Sequence, residues 1–386
     1  MSGPRIFIIA GDPSGDQLAS EVVRNILQLR PGIAFTGGGG PALRAAGVDL
    51  VEDLTRHSVI GLWEVLRRYW TFRRLFHQLL DRCVELRPDL VVGVDYGGFN
   101  LRFARAIRDR ASQIPDWNPR IIQLVSPQVW ASRPGRARQM ELTHDRLLSI
   151  LPFEPAWYAE HAPRLPVEFI GHPIVDRHQG RSRSQPDPNG IPEVLLLPGS
   201  RVGELERHLP VLLKATAKIQ ASLPIRPRLI LPTQELASLA NQLGAGLEGA
   251  PDPEVGSLPD ALQRATLALA STGTVTLECA WFQVPTIALY RTSWLTYEVG
   301  RRVVTVKYLA MPNLLADQPV MPEFIQSAAT PEALAETALG LLRDPLARST
   351  QRQALARICQ SLGTPGSAHR AAAAILRELD RPARQR

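Results

Sequence analysis

The feature that most constrains this chain is an alternation. Short aliphatic and β-branched runs at 5–10, 90–95, 120–125, 147–151 and 168–170 are separated by longer amphipathic stretches. Strands that read as continuous apolar runs are buried on both faces, and helical stretches between them are the mark of βαβ units on a parallel sheet. Residues 176–192 interrupt the pattern with a polar, Pro- and Gly-rich stretch, which reads as an interdomain linker. The alternation then restarts, with strands expected at 193–197, 228–231, 267–270 and 286–290 and a helical tail at 333–342, 346–361 and 368–379. The expected fold is α/β, with two Rossmann-like domains over 1–178 and 190–360 and a C-terminal helix in 361–386. Ligands of such sheets bind at the carboxyl ends of the strands, so two facing domains imply a cleft enzyme.

Composition narrows the class. A chain of 386 residues, 45% hydrophobic and 21% charged, has a sizeable core and is not disordered. Cys83, Cys279 and Cys359 are too scattered for a zinc site or a disulfide framework, so no metal is expected and a reducing compartment fits. The run at 6–10 is shorter than a signal-peptide core and reads as a first strand, and no apolar stretch reaches the roughly 18 residues of a membrane span. The net charge of +7 suits acidic partners such as phosphorylated substrates or an anionic lipid surface. Nucleic acid is a poor third, because the basic residues are dispersed and no nucleic-acid motif is present.

The motifs carry the chemistry. In Gly11-Asp12-Pro13-Ser14-Gly15-Asp16 a strand meets a helix expected to begin near Gln17, where amides and the Ser14 hydroxyl could meet an anion; alternatively Ser14 and Asp16 cap the helix. The loop is neither a dinucleotide fingerprint nor a Walker loop, and no cofactor is expected. Gly37-Gly38-Gly39-Gly40 reads as a flexible turn. Residues 61–76 interleave Trp63 and Trp70 with Arg67, Arg68, Arg73 and Arg74, which reads as an interfacial helix for an anionic membrane, or as a core helix with a solvated Arg face. Asp95, at the end of an apolar strand, is the candidate general base; otherwise it caps a helix beginning near Asn100.

In the second domain, Leu197-Pro198-Gly199-Ser200-Arg201 has the strand, turn and helix order of a diphosphate site. Gly199 allows close approach, Ser200 donates, and Arg201 offers a planar fork for phosphate oxygens. Thr272-Gly273-Thr274 is a second phosphate-type loop, and Glu278 one turn later could hold two vicinal hydroxyls of a ribose. Two such loops point to a nucleotide.

Taken together, these strings resemble the lipid-A-disaccharide synthases. The resemblance spans residues 8–326 and rests on an ordered series: Ala-Gly-Asp-Pro-Ser-Gly-Asp at 10–16, Gly-Gly-Pro at 39–41, 61–66, 93–100, Val-Ser-Pro-Gln-Val-Trp at 125–130, Leu-Pro-Phe-Glu-Pro at 151–155, Phe-Ile-Gly-His-Pro at 169–173, Leu-Pro-Gly-Ser-Arg at 197–201, Thr-Gly-Thr at 272–274 and Met-Pro-Asn-Leu-Leu at 311–315. It implies a two-Rossmann glycosyltransferase fold of the B type and a metal-independent inverting transfer. The substrates would be UDP-2,3-diacylglucosamine and 2,3-diacylglucosamine 1-phosphate (lipid X), the products a β-1,6 disaccharide and UDP. It also implies peripheral attachment to the cytoplasmic face of the inner membrane and a final helix packed back on the first domain; a homodimer is left open by the sequence.

Carried over by motif, Asp95 would deprotonate the acceptor 6-hydroxyl. Ser200, Arg201, Thr272, Gly273, Thr274, Glu278 and Asn313 would hold the UDP-sugar, with Asp12, Ser14 and Gly15 lining the cleft beside the acceptor; His172 is a cleft residue or a structural histidine. The chain departs from the family pattern in four places. Asp12 replaces Glu, Gly98 an Asp, Ser132 a Trp, and Asp-Gln-Pro at 317–319 a Gly-initiated turn. The changes at 98 and 132 bear on acyl pattern and on activity itself. The rival readings are a UDP-sugar 2-epimerase or a transferase to another lipid acceptor on the same fold, and a non-catalytic UDP- or lipid-binding descendant.

Overall fold

The computed structural model describes residues 3–57, 69–181, 190–245 and 249–382. The chain separates into two compact units, one of Met1–Arg177 with Leu362–Arg386 and the other of His178–Ser361.

In the first unit the strands are β1 (Arg5–Ala10), β2 (Ala34–Gly39), β3 (Asp49–Asp53), β4 (Leu90–Val94), β5 (Arg120–Leu124), β6 (Arg146–Ser149) and β7 (Val167–Phe169). They form one parallel sheet in the order β3-β2-β1-β4-β5-β6-β7. The helices are α1 (Pro13–Leu29), α2 (Pro41–Ala45), α3 (Tyr69–Leu86), α4 (Gly97–Ala111), α5 (Val129–Ser132), α6 (Arg136–Thr143), α7 (Glu154–His161) and α8 (Pro173–Arg177). Both sheet faces are covered: Ile6 and Ile8 pack with Val22 and Ile26 of α1, while Phe7 and Ile9 pack with Leu79 of α3 and Phe103 of α4. Burial on both faces is why β1 and β4 read as unbroken apolar runs.

The second unit has β8 (Glu193–Leu197), β9 (Arg226–Leu231), β10 (Pro253–Val255), β11 (Leu267–Ser271), β12 (Thr286–Tyr290) and β13 (Glu323–Ile325) in the parallel order β10-β9-β8-β11-β12-β13. Its helices are α9 (Val202–Gln220), α10 (Gln234–Gly244), α11 (Leu258–Arg264), α12 (Thr274–Trp281), α13 (Trp294–Val303), α14 (Met311–Ala316), α15 (Pro331–Arg343) and α16 (Pro345–Ser361). The last helix, α17 (Ser367–Leu379), belongs to the first unit. Its Ala371, Ala372, Ala374 and Ile375 join the α1 core, Asp176 accepts the Ser367 amide at 2.9 Å, and Arg30 makes a two-bond fork to Asp380 at 2.7 Å.

Two local readings of the sequence are corrected. Residues 37–39 are not a turn but the end of β2, and only Gly40 leads into α2. A Cβ on Gly37 would stand 1.8 Å from the Ile8 carbonyl oxygen, so the close approach that glycine permits here is to the chain's own β1. Helix α1 starts at Pro13 rather than near Gln17, because Asp12 is its N-cap and proline is pre-set for the first turn. Asp16, buried, reaches across to α2 instead and accepts the Gly40, Ala42 and Leu43 amides at 2.7, 2.9 and 3.2 Å.

Of the 61–76 stretch, Trp63, Arg67 and Arg68 lie outside the described residues. Helix α3 buries Leu75, Leu79, Leu80 and Cys83. Trp70 on its first turn is 72% exposed, the Arg73 guanidinium lies 5.5 Å from the Trp70 ring centroid, and Arg74 is exposed. From Tyr69 onward the helix thus has the buried face and the solvated Arg face of the core-helix reading. No helix among the described residues is long and apolar enough to cross a membrane.

Candidate active site

In the first unit the site residues follow two neighbouring strands. Ala10 and Val94 are register partners at the ends of β1 and β4, so the loops carrying Asp12 and Asp95 leave the sheet side by side. Asp12 is occupied as a cap: its Oδ1 accepts the Gly15 amide at 2.6 Å and the Ser14 hydroxyl at 2.9 Å. The anion site read into this loop is therefore filled by the protein's own carboxylate. Gly15 is buried and Ser14 exposed.

Asp95 does not cap α4, which begins at Gly97 with Tyr96 in the cap position and no side-chain cap bond. Asp95 and Tyr96 both lie in the left-handed region, at φ 47° and 45°. Two consecutive non-glycine residues there cost about 1 kcal/mol or more each and persist only where the surroundings hold them. The surroundings are explicit. The Asp95 carbonyl accepts from Asn100 Nδ2 and Gln123 Nε2, both at 2.9 Å, and its amide donates to the Leu124 carbonyl at 2.8 Å. Burial, and then the charge of Asp12, raise the Asp95 carboxyl to about 6, while the Tyr96 amide partly offsets them. That value suits a general base near neutrality.

Sequence reasoning missed Gln123. A glutamine inside the apolar run of β5 was its available signal, since a fully buried amide there must find polar partners.

A buried cluster stands beyond β5 and β6. Trp130 Nε1 donates to Glu154 at 2.9 Å, the Leu151 amide donates to the same carboxyl at 3.3 Å, and Ser126 bonds Tyr158 at 2.9 Å. Burial raises the Glu154 carboxyl to about 7, against the opposing pull of Trp130 and the other donors. His172 is structural: its Nδ1 accepts the Ile174 amide at 3.1 Å, and its amide donates to the Leu362 carbonyl at 2.9 Å.

In the second unit β8 and β11 are neighbours, so the loops at 199–201 and 272–274 also emerge side by side. Gly199 sits at φ 121°, where a Cβ would come within 2.3 Å of the Glu204 carboxylate. That carboxylate accepts the Ser200 amide at 3.1 Å and Arg201 Nη1 at 3.0 Å. Glu204 thus engages both groups that the sequence assigns to a diphosphate, and the Arg201 guanidinium stays 55% exposed. Gly273 precedes α12 at φ 125°; Thr274 is exposed in its first turn, and the Thr272 amide is used by the Leu289 carbonyl. Glu278 is hydrogen-bonded to Nε2 of His178, a buried ring lying 4.9 Å edge-on from Phe282. The sequence reading passed over His178 because it placed that residue in the linker.

Asn313 is corrected. It is fully buried, its amide donates to Met321 O and Glu323 at 2.7 Å, and its carbonyl accepts the Met321 amide at 2.7 Å. Both amide hydrogens are engaged inside the unit, so Asn313 braces α14 against β13 instead of facing a ligand. Among the described residues no three His, Cys, Asp or Glu side chains are grouped to hold a metal ion.

The match that decides the class runs over residues 6–376, to the family described as lipid-A-disaccharide synthetase. The chain belongs to the lipid-A-disaccharide synthetase family. A relative from Syntrophus aciditrophicus, a lipid-A-disaccharide synthase, is 36% identical over 391 residues, with 97% of this chain and 98% of that one covered. Among solved structures, the calicheamicin glycosyltransferase CalG4 aligns over 100% of both chains with a TM-score of 0.59 at 16% identity. A UDP-N-acetylglucosamine 2-epimerase aligns over 91% of this chain and 90% of its own, with a TM-score of 0.54 at 12% identity. The B-type glycosyltransferase fold is therefore shared by transferase and epimerase, and membership of the synthetase family, not the fold, makes this chain a glycosyltransferase. As to the departures from the family pattern, Gly98 is exposed in the first turn of α4, with open space where a Cβ would stand, and Ser132 ends α5.

Proposed function

We propose that the chain transfers 2,3-diacylglucosamine from UDP-2,3-diacylglucosamine to the 6-hydroxyl of 2,3-diacylglucosamine 1-phosphate (lipid X), with inversion, giving the β-1,6 disaccharide 1-phosphate and UDP. Asp95 accepts the hydroxyl proton as that oxygen bonds to the anomeric carbon. The bond from that carbon to the diphosphate breaks, and its electron pair leaves with UDP. Arg201, the Ser200 amide and the Thr272–Thr274 loop receive the developing charge, which requires both Arg201 and the Ser200 amide to exchange Glu204 for phosphate. Glu278, oriented by His178, takes the ribose hydroxyls.

The observation that carries this reading is Asp95 itself: a carboxyl raised toward neutrality at a strand end, on a left-handed turn held by Asn100 and Gln123. No cofactor is part of the proposal, and the cationic role at the leaving group falls to Arg201. The test is UDP release and disaccharide formation from both lipids in detergent micelles with EDTA present. Sustained turnover supports the reading, and activity that returns only with added divalent metal contradicts it.

The same proposal puts the enzyme on the cytoplasmic face of the inner membrane, with the exposed Trp70, Arg73 and Arg74 of α3 meeting anionic lipid alongside Trp63, Arg67 and Arg68. Flotation with anionic vesicles tests it. Replacing Trp63 and Trp70 by Ser should release the protein, and unchanged flotation would sink the assignment. A homodimer completes the proposal, and the mass in solution reads it directly.

A further inference from the structure

His208 lies in the second turn of α9, fully buried and flanked by Leu205, Leu209 and Leu212, where an aliphatic side chain would satisfy packing alone. Instead both ring nitrogens are engaged. Nδ1–H donates to the Pro198 carbonyl at 2.7 Å, and Nε2 accepts the Arg291 amide at 2.9 Å. Nε2 also lies 3.2 Å from the Arg291 carbonyl; the Pro198 carbonyl can only accept, which puts a proton on Nδ1, and in the neutral ring that burial favours Nε2 is left to accept from the Arg291 amide.

The two partners lie on loops of strands that are not neighbours. Pro198 opens the loop after β8 and Arg291 the loop after β12, with β11 between them in the sheet. The ring therefore ties together the loops after β8 and β12, which flank the 272–274 loop in the strand order. At the β8 end, the bond orients the peptide that leads directly into the φ 121° turn at Gly199, and so sets where the Ser200 amide points.

We propose that His208 is a positioning residue of the UDP-sugar site, holding the Pro198–Arg201 turn in its anion-binding shape through the Pro198 carbonyl. This rests on the reading of that turn as the diphosphate site. His208 touches no ligand and acts only through the turn.

The two ring bonds can be separated by substitution. His208→Asn keeps an N–H donor near the Nδ1 position, His208→Gln keeps an acceptor near the Nε2 position, and His208→Leu keeps neither. UDP affinity by calorimetry should fall about tenfold in the Gln and Leu variants, the order expected when a buried hydrogen bond is lost, and hold within about twofold in Asn. The Michaelis constant for UDP-2,3-diacylglucosamine should follow and kcat should fall with it in the Gln and Leu variants, because the Ser200 amide also meets the charge that develops on the leaving diphosphate, while the constant for lipid X stays unchanged. Equal losses in Asn and Gln, or native affinity in all three variants, would overturn the proposal.

Arg201→Ala separates the two readings: if it leaves UDP affinity intact, the diphosphate assignment has failed, and the His208 proposal with it. Should the variants not fold, the native chain labelled at histidine nitrogen supplies the answer. Saturating UDP should move the His208 Nδ1–H resonance, and an unmoved resonance refutes the proposal.

Discussion

The buried His178 ring holds the Glu278 carboxylate through Nε2, joining the segment after α8 to the first turns of α12. A carboxylate that must hold two hydroxyls gains from being fixed.

Replacing His178 by Phe keeps an aromatic ring beside Phe282 and removes the bond. The expected result is a rise of about tenfold in the Michaelis constant for the UDP-sugar with little change in kcat, the signature of lost binding rather than lost chemistry. Steady-state kinetics with the donor varied reads this, and a fall in kcat alone would count against it.

Asp12 and Asp95 give a pH prediction. A general base works when deprotonated, so kcat/KM should rise with pH through about 6, the value to which burial and then Asp12 raise Asp95. Asp12→Asn keeps a capping side chain for α1 and removes the charge that opposes ionisation of Asp95. The acidic limb should then move to lower pH, and a pH–rate profile with an unmoved or upward-shifted limb would refute the coupling.

Glu154 makes a stability prediction of definite sign. Its folded-state value of about 7 lies above the ordinary carboxyl value, so between about 4.5 and 7 the folded chain holds a proton that the unfolded chain has released. This contribution to stability is present at low pH and is lost as pH rises toward 7. Glu154→Gln, neutral throughout, should abolish that slope in chemical denaturation series at pH 5, 6 and 7; a slope equal to that of the native chain would argue against the assignment.

Much of the fold was legible because the central strands are buried on both faces. The runs at β1, β8 and β12 match the expected strands end to end. What escaped lacks that signal. Strand β2 ends in three glycines, β3 is a half-polar edge strand, and β10 and β13 are three-residue edges, too short for any pattern.

What was legible is the place of the candidate residues on loops after strands: Asp95 follows β4, and Ser200 and Arg201 follow β8. The site was illegible where function depends on what a buried side chain meets. Asn313 looked like a ligand contact and is a brace, while Gln123, His178 and His208 lie in segments whose spacing gives no hint of their partners. Glu204 is the intermediate case: its place after Gly-Ser-Arg was visible, but its grip on the Ser200 amide was not.

The central claim is that Asp95 is the base of a sugar transfer. The most direct measurement is single-turnover disaccharide formation from UDP-2,3-diacylglucosamine and lipid X by the native chain and by Asp95→Asn, with UDP affinity measured on both. The account predicts a loss of about a thousandfold in the chemical step at unchanged UDP affinity. An Asp95→Asn enzyme that forms disaccharide at close to the native rate would contradict it.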